Sequence, residues 1–154
     1  MRAGLVGVIA LVLALARAQG APPSARAETP CSKADFEAVV DEAAAALRNL
    51  NHQNTPQFQA RLRQLKDKRG WSHEQFLVEA APFVRDDAIA GFDQKSEDFL
   101  TRITQGGQSQ ATAASLNCGL LVELRGSLAS LVQTQKAKWT YMFEKINVEL
   151  AKAR

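Results

Sequence analysis

Residues 116–152 read LNCGLLVELRGSLASLVQTQKAKWTYMFEKINVELAK, the longest uninterrupted helical pattern in the chain. Apolar residues recur along it in steps of three and four, which places them on one face of a helix. No proline interrupts the segment, and a helix of this length would extend about 50 Å. The segment therefore predicts one long C-terminal helix around which the rest of the chain packs. Its apolar face carries Leu121, Leu124, Leu128, Leu131, Val132, Trp139, Met142, Phe143, Ile146 and Leu150.

The C-terminal half of this predicted helix is rich in aromatic residues, and Tyr141 and Val148, seven residues apart, mark a second face. An apolar face at helical spacing is usually part of a core. If the preceding helices are too short to cover it, the same residues form an exposed patch of the types that anchor interfaces. On that hypothesis, residues 135–150 contact a partner protein, a second copy of the chain or an apolar ligand. The candidate binding residues are Trp139, Tyr141, Met142, Phe143 and Ile146.

The first thirty residues have the pattern of a secretory signal peptide. A positive charge at Arg2 precedes an apolar run over residues 5–16, and small-x-small sites end at Ala18 and at Ala27. We predict a signal peptide over residues 1–27, with cleavage after Ala18 as the alternative. The run is shorter than the roughly 20 apolar residues of a membrane span, so we expect no stable membrane insertion after cleavage.

The mature chain, residues 28–154, is expected to be a single all-helical domain that is periplasmic or secreted. The leader carries three of the 19 basic residues, and its removal leaves 16 basic against 16 acidic side chains. A nearly neutral protein gives no electrostatic reason to expect a nucleic-acid partner. About 127 residues are enough for one domain with a hydrophobic core.

The chain has two cysteines, Cys31 and Cys118. In an exported protein an even number of cysteines predicts a disulfide, here a single one. The alternative is two unrelated buried thiols. No Cys-x-x-Cys motif is present, which argues against a thiol oxidoreductase.

Capping signals divide the first half of the chain into two predicted helices. Ser32 can cap the first helix, whose apolar spacing lasts until a polar break at residues 49–54. Thr55 followed by Pro56 is typical of a second helix start, and Gly70 is a typical helix end.

A third helix is predicted after Ser72, and Pro82 is expected to kink or break it near residues 80–81. Helical spacing resumes at residues 83–87 and lasts to Gly106 and Gly107. We interpret the unpatterned sequence from there to Ser115 as a mobile connection.

These elements predict an all-α bundle of four or five helices, organised around the long C-terminal helix and stapled by one disulfide. The disulfide requires the N-terminal ends of the first and last helices to be neighbours. A four-helix up-down-up-down bundle separates those ends. Either Pro82 therefore creates a fifth helix, or residues 104–115 travel back along the bundle.

The sequence contains no constellation that indicates catalysis. The two histidines, His52 and His73, are isolated, with no neighbour at metal-ligand spacing. Gly-rich phosphate loops and nucleophile motifs are absent. We predict no metal, no cofactor, no catalytic residue and no enzymatic activity. The acidic residues within 86–98 are expected to complement the basic residues within 61–69 across neighbouring helices.

The function that fits these features is that of an exported, non-enzymatic interaction protein, such as an adaptor, an inhibitor or a chaperone. The partner, an unknown protein or a second copy, would bind the long C-terminal helix. The alternative is a carrier that holds a small apolar ligand in the bundle core, covered by residues 106–115.

Overall fold

The computed structural model describes residues 30–153, and the predicted signal peptide with both candidate cleavage sites lies outside them. Every regular element in this part of the chain is helical, as the sequence predicts. A 3₁₀ turn separates the second and third of four α-helices. The bounds are α1 Lys33–Arg69, α2 His73–Glu79, the 3₁₀ turn Ala81–Phe83, α3 Asp87–Ala111 and α4 Cys118–Lys152.

The helix ends predicted at Ser32, Gly70 and Ser72 are confirmed, whereas the helix start predicted at Thr55 and Pro56 is not. Ser32 and Asp35 form a capping box at the start of α1, and Ser72 and Gln75 form another at the start of α2. Gly70 ends α1 with φ +64°, a left-handed conformation that glycine adopts at little cost. These local signals therefore fix where the helices begin and end.

The predicted break at residues 49–54 is wrong, because α1 is one helix of 37 residues with Pro56 inside it. Side chains of the polar stretch bond back to the helix: the Asn54 amide donates to the Leu50 carbonyl at 2.8 Å. Buried Phe58 lies on the same helical face as Leu47 and Leu50, so the apolar face stays in phase across the polar stretch. Tertiary packing thus outweighs the local helix-breaking signal.

The predicted end of α3 at Gly106 and Gly107 is also wrong, since α3 continues to Ala111. The two glycines are points of close helix packing. A Cβ at Gly107 would lie 2.6 Å from Val40 Cγ2 in α1, and one at Gly106 would lie 2.7 Å from a Leu124 methyl in α4. Residues predicted as a mobile connection therefore pack α3 between its neighbours. The break near Pro82, in contrast, is confirmed by the 3₁₀ turn.

The bundle has three long helices, with α1 and α4 parallel and α3 antiparallel to both. At one end, the disulfide joins Cys31 before α1 to Cys118 at the start of α4, with Cα atoms 5.5 Å apart. At the other end, Arg69 of α1 pairs with Glu149 of α4 at 3.0 Å. Because α1 crosses the whole bundle once, the N-terminal ends of α1 and α4 are neighbours. Neither a fifth helix after Pro82 nor a connection that travels back over residues 104–115 is needed.

The core consists of two apolar clusters, one at each end of the bundle. A polar layer lies between them, where Gln135 Nε2 donates to the buried Ser96 hydroxyl at 2.8 Å. The disulfide-end cluster contains Phe36, Val39, Ala43, Ile103, Leu121, Leu124 and Leu131. The cap-end cluster contains Phe58, Leu62, Leu65, Phe83, Ile89, Met142, Ile146, Leu150 and Ala153.

Candidate functional site

The five candidate binding residues of α4 all belong to the cap-end cluster or pack against it. Met142 and Ile146 are buried, and Trp139, Tyr141 and Phe143 are half-buried. Of the two possibilities that the sequence raises for this half of α4, the structure has the core face, because α1 is long enough to pack along it. Of these five residues, only the accessible parts of the three half-buried aromatic rings can contact a partner.

The aromatic rings of this region pack mainly against each other. Phe58 of α1 meets Trp139 and Phe143 edge-on, with ring centroids 6.0 and 5.5 Å apart. Tyr141 faces the other way, toward α3, with its ring centroid 6.2 Å from that of Phe92. Edge-to-face pairs of this kind stabilise a core beyond the area that they bury.

The segment between α1 and α3, residues 71–86, forms a small cap over this end of the bundle. None of the residues of α2 is fully buried, although Phe76 packs against the cap-end cluster. Leu77 and Val78, which follow Phe76 in α2, are exposed by 62% and 71%. The cap thus packs on the cluster through buried Phe83 and half-buried Trp71, Phe76 and Ala80, and presents other apolar side chains outward.

Exposed apolar side chains are concentrated at this end of the molecule. Five large apolar residues of the part described are exposed, and four of them belong to the cap or face it. We refer to these four as the cap-end apolar surface: Leu77, Val78, Val84 and Val148. The fifth, Val122, lies near the disulfide end. Clustering of exposed apolar residues is typical of interaction sites, whereas single ones are ordinary.

A cleft of about 570 Å³ opens to solvent between the cap and α4. Tyr141 and Val148, which the sequence places on a second face of α4, both line it. The cap wall was not predicted, because no sequence pattern shows that residues 71–83 fold back toward α4. The lining residues are Leu65, Arg69, Trp71, Glu79, Pro82, Phe83, Tyr141, Glu144, Lys145, Val148 and Glu149.

Asp86 fastens the cap to α4 beside this cleft. Its carboxylate accepts hydrogen bonds from the backbone N–H of Ile89 at 2.7 Å, from the Tyr141 hydroxyl at 2.8 Å and from the Lys145 ammonium. The Lys145 hydrogen bond, followed by that of the Ile89 N–H, lowers the Asp86 pKa to about 2. The same carboxylate raises the pKa of Tyr141. Lys145 also donates to the Pro82 carbonyl, so one lysine contacts both ends of the turn.

The prediction that the acidic residues of α3 pair with the basic residues of α1 is wrong. Asp86 pairs with Lys145 and Asp93 pairs with Lys138, both lysines of α4. On α1, Arg69 pairs instead with Glu149 of α4. The charged side chains therefore fasten α4 to each neighbour separately.

No group of three or more His, Cys, Asp or Glu side chains among residues 30–153 is arranged to hold a metal ion. His52 and His73 are both exposed, on α1 and at the start of α2. Across the same residues, no helix combines the length and apolar character that a membrane span requires. Comparison of the chain with protein-family models, with curated proteins and with solved structures finds no match.

Proposed function

We propose that the protein is an exported, non-enzymatic interaction protein that binds a partner protein at the cap end of the bundle. The observation that carries the proposal is the concentration of exposed apolar side chains at the cap end, which also has a cleft of about 570 Å³ lined by one of them, Val148. The cleft gives a partner side chain a concave site, and the cap-end apolar surface offers further contact area.

The binding surface differs from the one suggested by the sequence, although α4 still contributes to it. Tyr141 and Val148 remain candidates because they line the cleft. Met142 and Ile146 support the site from the core, since both are buried. Trp71 from the cap joins the apolar part of the lining, which makes the site shared between α4 and the cap.

Export is supported by the signal-peptide pattern together with the disulfide between Cys31 and Cys118. Disulfides of this kind persist in oxidising compartments and are rare in the cytosol. The Ala- and Arg-rich leader is typical of bacteria, which favours the periplasm over secretion into the medium.

Site-specific photocrosslinking in the cells that make the protein tests the proposal. A photoreactive amino acid replaces Val148 or Val78 at the cap end, or Val122 as an equally exposed apolar control near the disulfide end. We expect a discrete crosslinked product from the two cap-end positions only, and its loss from Val78 when Val148→Asp is added. Equal products from all three positions, or none, would contradict the proposal.

The mass of the crosslinked product identifies the kind of partner. A product of twice the chain mass indicates a second copy, and any other discrete mass indicates a different protein.

The alternative function, carriage of a small apolar ligand, has one observation in its favour. The cleft volume lies within the roughly 300–1,000 Å³ range of small-molecule sites. A carrier would hold its ligand in this cleft and not under residues 106–115, since the first six of those are helical and packed. Native mass spectrometry of the purified protein tests this function through a retained small mass that Val148→Asp removes.

A further inference from the structure

Some of the charged groups that line the cleft have ion-pair partners within the protein, and others do not. Both cations are engaged: Arg69 pairs with Glu149 at 3.0 Å, and Lys145 pairs with Asp86. Glu149 also accepts from Lys152 at 2.8 Å. The remaining carboxylates of the lining, Glu79 and Glu144, form no ion pair or side-chain hydrogen bond with any residue from 30 to 153.

These two carboxylates lie on opposite walls of the cleft. Glu79 is the last residue of α2, and Glu144 lies on α4 next to Lys145. With two cations and three carboxylates, the lining has a net charge of −1. Because the cations are neutralised by internal partners, a ligand in the cleft meets two available anions and no available cation.

The aromatic residues of the lining favour the same sign of charge. Trp71 and Tyr141 both border the cleft. The faces of aromatic rings attract cations, and tryptophan does so most strongly. Lys145 already lies over the Tyr141 ring at 5.3 Å, which leaves Trp71 as the ring available to a ligand cation.

We propose that the cleft recognises a basic apolar segment of a partner protein, in which an aliphatic or aromatic side chain adjoins a lysine or arginine. The apolar side chain packs on Pro82, Tyr141 and Val148, which keep accessible surface in the cleft, and Glu79 and Glu144 pair with the cation. This inference rests on the proposed function and adds the chemistry of the partner and two specificity-determining residues.

A protein segment fits the surface better than a free amphipathic cation. Beyond the cleft lining, α2 exposes two further apolar side chains, Leu77 and Val78, just before Glu79 of the cleft. A second, smaller cleft of about 270 Å³ has a different lining from the same cap, which includes Leu77 and Val84. A small ligand fills one cleft, whereas an extended segment can cover both clefts and the exposed side chains of α2.

Fluorescence anisotropy with three labelled hexapeptides tests the inference. Their central residues are Leu-Leu-Arg-Lys, Leu-Leu-Glu-Glu and Ser-Ser-Arg-Lys, with glycine and blocking groups at both ends. We expect the basic apolar peptide to bind roughly tenfold more tightly than the acidic one at low salt, from two exposed ion pairs of up to about 1 kcal/mol each. The preference should shrink as salt is added, because exposed charges are screened.

The double variant Glu79→Gln with Glu144→Gln should abolish this preference while leaving the weaker affinity for the Leu-Leu pair. The control is Glu37→Gln with Glu123→Gln, which changes net charge equally at exposed sites away from the cleft. A preference that persists in the cleft variant, or that the control also removes, would overturn the inference.

The peptide set separates this inference from the proposed function. Equal binding of both Leu-Leu peptides, lost in Val148→Asp, would keep the cleft as an apolar binding site and overturn only the preference for a cation. Failure of both Leu-Leu peptides to bind would overturn the inference, and the crosslinking at Val78 and Val148 would then decide the proposed function independently.

Discussion

Replacing Pro56 by alanine should stabilise the protein, because α1 is continuous through this position. Proline removes the hydrogen bond from residue 56 to the His52 carbonyl and crowds the preceding turn. In a helix interior it is about 3 kcal/mol less favourable than alanine. Alanine frees the unfolded chain, which offsets about 0.4–1 kcal/mol of that difference. We expect the free energy of unfolding to rise by about 2 kcal/mol.

The direction of this change distinguishes one helix from two. If α1 were broken at residues 49–54, Pro56 would occupy the first position of a second helix, where proline is favoured and its removal does not stabilise. For a domain of this size, about 2 kcal/mol corresponds to roughly 5–10 °C in Tm.

Thermal unfolding followed by circular dichroism measures the effect. Gln59→Ala, at an exposed site in the same helix, controls for the general benefit of alanine and should shift Tm by a degree or two, since glutamine is also a good helix former. An unchanged or lowered Tm for Pro56→Ala would refute the continuous helix.

Three further outcomes follow from the packing, the disulfide and the charges. Gly107→Ala should lower the free energy of unfolding by about 1–2 kcal/mol in chemical denaturation, because the clash with α1 exceeds the gain in helix propensity. The control Gly91→Ala has nothing within 4 Å of the added methyl group and should raise it by up to about 1 kcal/mol. The double variant Cys31→Ser with Cys118→Ser removes a crosslink between positions 87 residues apart, so the free energy of unfolding should fall by about 4 to 5 kcal/mol. A fall of less than about 1 kcal/mol would contradict the chain-entropy reasoning. The Asp86 pKa is lowered from 3.8 to about 2, so the Asp86 charge contributes stability that is complete above pH 4 and is lost as the pH falls toward 2. Asp86→Asn should therefore flatten the pH dependence of the urea midpoint between these pH values. An unchanged slope would count against the contacts of Asp86 with Lys145 and Tyr141.

The elements that the sequence predicts well are those fixed by local chemistry. The α4 helix has an apolar face without a helix breaker, Pro82 cannot donate the hydrogen bond that would continue α2, and Gly70 suits a left-handed helix end. The disulfide follows from an even cysteine count in a chain with an export signal. Each of these needs only neighbouring residues or composition.

The elements that it predicts poorly depend on contacts between helices. The polar stretch before Pro56 has the local properties of a helix break. Leu50 and Phe58 nevertheless remain on one face, and this helical spacing across the stretch indicates a continuous helix. Gly106 and Gly107 have the properties of a helix end, although they serve close packing. The predicted break is also what makes the disulfide seem to need a fifth helix or a returning connection, and a continuous α1 needs neither.

The candidate site was predictable only on its α4 side. The seven-residue spacing of Tyr141 and Val148 identifies one wall of the cleft. Trp71 and Glu79 come from a segment 60 or more positions earlier, and their approach to α4 depends on where Asp86 fastens the cap. No local pattern encodes that long-range contact.

The parallel arrangement of α1 and α4 places the two ends of the described part of the chain, residues 30 and 153, at opposite ends of the bundle. Residue 30 enters at the disulfide, and Ala153 leaves beside the cleft, where its carbonyl accepts a hydrogen bond from Lys68 at 3.0 Å. The separation is about 50 Å, the length of α4. Immobilisation through the disulfide end would therefore leave the cap end facing solution, whereas a C-terminal tag would begin at the cap end, a few residues after Glu149 of the cleft lining.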